Sequence, residues 1–290
     1  MYHSIPAIRP QTAIQNILLM RKQFKLTLAL SIAIACLVHC TRNGVQADTA
    51  GFQALPLNAP APAANPQSPQ KIALGRLLFW DPILSGGKDV ACASCHHPFS
   101  GYADGLDLAI GSNGVGTGAA RHFALPNDIA FTRRNSATII NTAFNGIDVQ
   151  GQVDPSTAPM FFDKRVQSLE AQSAEPIKTL EEMCGHYFTG AASLDSVIKR
   201  LQNIPEYVQL FADAFGPGAP TTDKLAKALA SFERTIIANH SPYDRYIRGD
   251  AAAMTAAQIR GMKAFQDNGC HQCHNGPMFS DYQLHVLSAG

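Results

Sequence analysis

Two short runs of this chain pair thiols with an adjacent imidazole: Cys92-Ala93-Ser94-Cys95-His96 and Cys270-His271-Gln272-Cys273-His274. Thiols three positions apart can each add across one vinyl group of a haem. The histidine directly after the second thiol then lies under the iron as its proximal ligand. The blander readings are a thioredoxin-like redox pair, which has no need of the trailing histidine, or half of a zinc site. With 7 Cys and 10 His in 290 residues, chance places one such pentad in roughly one chain in two hundred. Two make coincidence a poor explanation. The sequence therefore predicts two covalently bound c-type haems, with His96 and His274 as iron ligands.

The rest of the chain must carry and position these groups. An apolar fraction of 46% supports an ordinary core. The net charge of +1 gives no sign of a nucleic-acid partner or a polybasic membrane surface. Four of the cysteines belong to the pentads, Cys36 and Cys40 lie near the N-terminus, and Cys184 reads as a buried or idle thiol. Seven are too few for a disulfide scaffold.

Residues 1–47 read as a secretory leader. Met20 to Lys25 is a basic start, and Leu26 to Val38 is an apolar run of 13 residues, short for a membrane span and right for an export signal. Simple cleavage near Ala47 is preferred; lipoprotein-type cleavage before Cys36 or Cys40, giving a lipid anchor, is the alternative. All readings export the protein, in keeping with c-type haem, which is attached outside the bacterial cytoplasmic membrane. Residues 48–68 read as a Pro/Ala-rich linker in which Pro56, Pro60, Pro62 and Pro66 forbid a helix and favour extended chain, a tether.

Helical signals dominate thereafter. Ser68-Pro69 is a capped start, with Ile72, Leu74, Leu77 and Leu78 largely on one face and Asp81-Pro82 as the stop. Leu194–Leu201, Pro205–Phe215 and Thr222–Ala238 have helical patterns with ordinary core faces (Val197, Leu201; Tyr207, Leu210, Phe211; Leu225, Leu229, Phe232). Thr255-Ala256-Ala257-Gln258 is a capping box that opens a helix toward Asp267. A Gly-rich run, 101–118, follows the first pentad, and long loops of this kind are often functional or mobile. His97 and His122 are nearby histidines, each more simply a surface or core residue than a ligand.

Several stretches, in order, resemble the bacterial di-haem cytochrome c peroxidase family, which includes the MauG-like proteins. They are Leu74–Pro82, the first pentad, Arg134–Asn141, Phe161–Arg165, Ser168–Gln172, Glu181–Met183, Phe232–Thr235, Ser241–Tyr246 and the second pentad. The match spans residues 69–290, with an insertion around 114–131. It implies a mainly α fold of two cytochrome c-like haem domains facing each other: a first, peroxidatic domain (69–216) and a second, electron-transfer domain (217–290).

The resemblance also implies roles. Glu182 matches the carboxylate that manages the proton in O–O cleavage, and Gln172 matches the glutamine beside it. Arg165 is a candidate partner for a haem propionate. Asn135 would contribute to a calcium site between the domains. Read alone, Glu182 is more simply a solvated helix residue beside Glu181; yet a buried carboxylate with a raised pKa suits proton transfer between peroxide oxygens. Two departures stand out. Ser112 occupies the place of a histidine that ligates the resting first haem in the peroxidases, so that haem is expected to be open, as in MauG-like members; His122 is the only candidate to replace it. Phe162 stands where the family usually has an inter-haem tryptophan, and a phenyl ring carries a transient hole far less readily than an indole.

The sequence continues past His274 only to Gly290. The family's further stretch, with the distal ligand of the second haem and part of the calcium site, is therefore expected to be missing, making this a C-terminally truncated member with an incomplete second domain. Met278 lies too close to the proximal anchor to reach the far face. The expected function is reduction of hydrogen peroxide to water in the periplasm, with electrons from a small donor protein, a cytochrome c or cupredoxin; a homodimer is compatible. The alternatives are a MauG-like oxidase of a partner protein and a di-haem electron carrier without catalysis.

Overall fold

The computed structural model describes residues 51–286, so the expected leader lies outside the described residues. The described chain is mainly helical, with two short antiparallel ribbons. Helix α1 (Pro69–Trp80) starts as the sequence predicts: the Ser68 hydroxyl accepts from the Lys71 amide and Pro69 fills the first turn. Asp81 ends it, its carboxylate capping Ile83 at 2.8 Å and accepting from the Tyr207 hydroxyl at 2.5 Å. The buried face is Leu74, Gly75, Leu78 and Phe79, whereas Leu77, expected on that face, is half exposed. Gly75 explains the rotation: a Cβ there would lie 1.9 Å from the Ala228 carbonyl oxygen, so this is where a second helix comes closest.

That second helix is α7 (Thr222–Glu233). Between them in the chain come α2 (Cys92–Cys95), α3 (Leu169–Gln172), α4 (Glu175–Lys178), a π-helical turn (Leu180–Cys184), α5 (Gly190–Gln202) and α6 (Pro205–Phe215). The main core joins Leu74, Leu78 and Phe79 to Leu225, Ala228 and Leu229, with Val197, Leu201, Phe211, Ile177 and Ala93 packed around them. Each such side chain contributes about 1.5–3 kcal/mol on burial. The expected boundary at residues 216–217 falls in the turn between α6 and α7.

Helix α7 stops five residues before the predicted end at Ala238. The β-branched run Thr235-Ile236-Ile237 disfavours helix. Asn141 takes over this segment: its amide N–H donates to the Ile236 carbonyl at 3.0 Å and its side-chain oxygen accepts from the Ala238 N–H at 2.8 Å. The Pro/Ala-rich segment 51–68 forms no helix and is tied to the body of the chain. Asn239 donates to the carbonyls of Pro56 and Leu57, and buried Asn65 donates to Glu170 and to the Lys227 carbonyl.

Past α7 come α8 (Pro242–Ile247) and α9 (Ala256–Asp267), both opened by complete capping boxes. The ribbons are β1 (Gly114–Val115) with β2 (His122–Phe123), which forms the expected insertion, and β3 (Pro159–Met160) with β4 (Val166–Gln167).

Candidate functional site

The first pentad is held from several sides. Arg200 of α5 donates to the carbonyls of Ile83, Ser85 and Gly86, fixing the approach to Cys92. The Gly86 amide donates to the Met183 carbonyl at 2.8 Å, which ties the same loop to the π-turn. Cys92–Cys95 forms one helical turn, with Ala93 buried in the core. Burial pushes the Cys92 thiol up to about 12 and the Cys95 thiol to about 11.

The Nδ1 of His96 lies 3.1 Å from the Tyr102 carbonyl oxygen. A carbonyl only accepts, so Nδ1 carries the proton and Nε2 is left as the ligand atom, the arrangement a haem-ligating histidine needs. Burial also lowers the imidazole pKa, favouring the neutral ring. The second pentad repeats this: the Nδ1 of His274 lies 3.2 Å from the Phe279 carbonyl. Both carbonyl-bearing aromatics, Tyr102 (φ 57°) and Phe279 (φ 52°), lie in the left-handed region, an uncommon conformation for bulky residues. The twist recurs where each carbonyl meets its histidine. The sequence reading missed both residues, since nothing in their type signals a positive φ. A cavity of about 260 Å³ is bordered by Tyr102, Ile140, Phe232 and residues 235–238, with no pentad residue in its lining. These features fit a covalently held haem.

Glu182 lies in the π-turn, where the amides of Glu182, Met183 and Cys184 all converge on the Thr179 carbonyl. Such turns recur at functional sites. The half-buried Glu182 carboxyl accepts no hydrogen bond among the described residues. Desolvation raises its pKa, the carboxylates of Glu181 and Glu175 add to the rise, and Arg165 opposes it. Glu182 also lies within electrostatic range of the Cys95 thiol. The solvated-helix reading of Glu182 therefore does not describe its surroundings.

Ser112 is buried beneath this turn: its amide donates to the Glu181 carbonyl at 3.2 Å, and its hydroxyl faces the Glu182 carbonyl at 3.4 Å. His122, by contrast, is exposed on β2, with Nδ1 turned to the Ala120 carbonyl.

The other predicted residues lie further out. Gln172 closes α3 half-buried, its side-chain amide making no hydrogen bond among the described residues. Arg165 pairs with Asp163 at 2.9 Å and stacks over Phe161 at 3.7 Å. Phe162 is half exposed under the Arg134 guanidinium, and Asn135 is exposed. Cys184 is buried, its thiol donating to the Phe188 carbonyl.

Glu233 was not singled out from the sequence. It is only 7% exposed, and burial pushes its carboxyl up to about 8. It also lies within electrostatic range of Cys92. Its place four residues after Leu229, on the buried face of α7, was the available signal. Its neighbour Arg234 makes a two-pronged buried pair with Glu170 at 2.7 and 2.8 Å.

The second pentad is exposed: Cys270 and Cys273 face solvent, and α9 contains no fully buried residue. Its support is a ring cluster in which Phe265 and Phe279 lie 5.8 Å apart and Tyr243 and Phe279 5.1 Å apart. Met278 packs toward Phe144 and Ile147. Cys273, Asp281 and His285 place ligand atoms within 4.8 Å of one another. Thioether formation at Cys273 removes the thiolate that such a metal site requires. A larger opening of about 560 Å³ between residues 146–167 and 275–283 is lined by no pentad residue.

Residues 69–252 match the family model of the di-haem cytochrome c peroxidases. The chain is 36% identical over 252 residues to the methylamine utilization protein MauG of Methylorubrum extorquens, covering 85% of this chain and 62% of that protein. It is 34% identical over 239 residues to the cytochrome c551 peroxidase of Pseudomonas aeruginosa, covering 80% and 59%. The chain thus spans about 60% of the length of these relatives. Among solved structures, a MauG-like protein associated with microbial copper homeostasis superimposes with a TM-score of 0.60 at 26% identity, covering 81% of this chain and 61% of that one. The di-haem peroxidase BthA of Burkholderia thailandensis gives 0.54 at 22%, covering 72% and 50%, a likeness of fold. Paired pentads, their matched histidine–carbonyl supports and the family match agree: the chain belongs to the di-haem cytochrome c peroxidase family.

Proposed function

We propose that the protein reduces hydrogen peroxide to water, with the first pentad as the peroxidatic site and the second as the point of electron entry. The observation that carries this reading is Glu182, a half-buried carboxyl with a raised pKa and, among the described residues, no hydrogen-bond partner, in electrostatic range of the pentad at Cys95. Cys92 and Cys95 would hold the first haem covalently and His96 its iron; Cys270, Cys273 and His274 would do the same for the second. When bound, the first haem supplies the iron at which the O–O bond is cleaved and stores the oxidising equivalents.

The protein's own part is proton handling. Glu182 takes a proton from one peroxide oxygen and returns it to the other, and Gln172 orients the bound peroxide. Two further protons and two electrons complete the conversion of one peroxide to two waters, the electrons coming from a small donor protein, a cytochrome c or cupredoxin. Phe162 would stand between the two haems, a place where a phenyl ring would leave direct tunnelling as the route. Arg165, now paired with Asp163 at the surface, would be the partner for a haem propionate. Asn135, with its exposed amide, offers an oxygen to calcium. The protein works in the periplasm after export; among the described residues no helix is long and apolar enough to cross a membrane.

Ser112 favours a second reading in one respect. A buried serine hydroxyl in place of a ligating histidine would leave the first haem without that ligand, as a MauG-like oxidation of a partner protein would require. Steady-state peroxide turnover with a reduced small cytochrome distinguishes the two: turnover is expected for the peroxidase. Peroxide binding that yields no cytochrome oxidation would favour the oxidase. Absence of any peroxide-induced spectral change would leave an electron carrier.

A further inference from the structure

The segment Ile110–Ser112 lies between the first pentad and Glu182. The Ile110 carbonyl is 3.6 Å from the Cys95 sulfur, and the Ser112 amide is bonded to the Glu181 carbonyl. Gly111 runs so close to the π-turn that a Cβ would lie 2.2 Å from the Glu182 carbonyl oxygen and 2.3 Å from that of Glu181. A shift of this segment would therefore move the peptide that carries the Glu182 side chain.

One residue of the insertion grips it. Arg121, only 5% exposed, donates from Nε to the Ile110 carbonyl at 2.5 Å, from Nη2 to Gly111 at 2.8 Å and from Nη1 to Gly116 at 2.9 Å. The planar guanidinium fork suits three acceptors in fixed directions, which a lysine ammonium does not reproduce. From the other end, Asn113 donates its amide to Asp89 at 2.9 Å and its side chain to the Ala124 carbonyl and to Asn127. The β1–β2 ribbon closes the loop between these grips.

We propose that Arg121 is a positioning residue for the peroxide site: by clamping Ile110–Ser112 it holds the Glu182 turn in register with the first pentad and, with haem bound there, would keep this segment from shifting toward it. The insertion is then a static brace for this segment. The inference rests on the reading of Glu182 as the proton-handling group.

The test compares Arg121→Gln and Arg121→Lys with wild type as full-length holoprotein, in the oxidised form as isolated. Three readouts apply: the bimolecular rate with peroxide against pH, the ferric spin-state spectrum, and amide exchange at residues 110–113. Arg121→Gln should retain both haems, react about 10-fold or more slowly, shift the acid limb of the pH profile and show a mixed spin-state spectrum. Arg121→Lys should fall between. If Arg121→Gln does not retain both haems, Asn113→Ala loosens the same segment without vacating a buried charge, and a smaller change of the same sign is expected. Rates and pH profiles within twofold of wild type, in the variant that keeps its haems and exchanges faster at 110–113, would overturn the proposal. A wild-type protein that does not react with peroxide at all would instead defeat the reading of Glu182.

Discussion

The two pentads share one motif and one histidine–carbonyl support yet sit in opposite surroundings. The first is part of the main core: Ala93 packs with α1 and α7, Arg200 fixes the approaching loop, and buried carboxyls lie within electrostatic range. The second lies exposed after a helix with no fully buried residue, supported by an aromatic cluster of Phe52, Tyr243, Phe265 and Phe279. On the proposed reading, the motif supplies attachment and the proximal ligand, while burial and neighbouring carboxyls set which site handles protons. Peroxide chemistry would then use the desolvated carboxyl of the first site and electron entry the exposure of the second.

The largest expected effect falls on that carboxyl. Glu182→Gln should slow peroxide cleavage by about 100-fold or more without changing haem content, seen by stopped-flow absorption. Wild-type rates in the variant would erase the distinction drawn between the sites. The pH dependence follows from the raised pKa. The ionised form, which accepts the proton, appears only above a pKa displaced upward from the ordinary carboxylate range. The wild-type rate should therefore rise with pH through an acid limb displaced in that direction, and Glu182→Gln should flatten it.

Next comes local stability. In the holoprotein, amides of Ala256–Asp267 should exchange about 100-fold faster than those of Pro69–Trp80, because fewer buried contacts resist local opening. Equal protection measured by mass spectrometry would show that the aromatic cluster holds the second site as firmly as the core holds the first.

Two glycines sharpen the contrast further. Gly75→Ala forces a Cβ into the Ala228 carbonyl and should destabilise the fold by about 1–3 kcal/mol or more. Gly261, inside α9, has nothing within 4 Å of its would-be Cβ. Gly261→Ala should stabilise by about 0.5–1 kcal/mol through helix propensity alone. Thermal melts of the pair should move in opposite directions.

The sequence made the pentads, the capped starts of α1 and α9, and the core face of α7 legible, because each follows from local chemistry or period. It did not reveal Tyr102 and Phe279 as the residues whose carbonyls accept from the histidines, since a positive φ on an aromatic is set by its surroundings. Arg121 was equally hidden: a lone arginine in a Gly-rich insertion looks solvated until the three carbonyls it serves are brought together. Leu77 turned outward because Gly75 fixed the helix rotation, which no amphipathic pattern could state. Glu233 was readable in principle, as a charge in the phase of Leu225 and Leu229.

The central claim is that peroxide is cleaved at the first site and not at the second. It is tested most directly by stopped-flow mixing of peroxide with two single-haem proteins, Cys92→Ala/Cys95→Ala and Cys270→Ala/Cys273→Ala. The variant keeping the first haem should react within about threefold of the wild-type bimolecular rate, while the variant keeping the second should lose about 100-fold or more, the scale of the missing acid–base assistance. The reverse order would contradict the account.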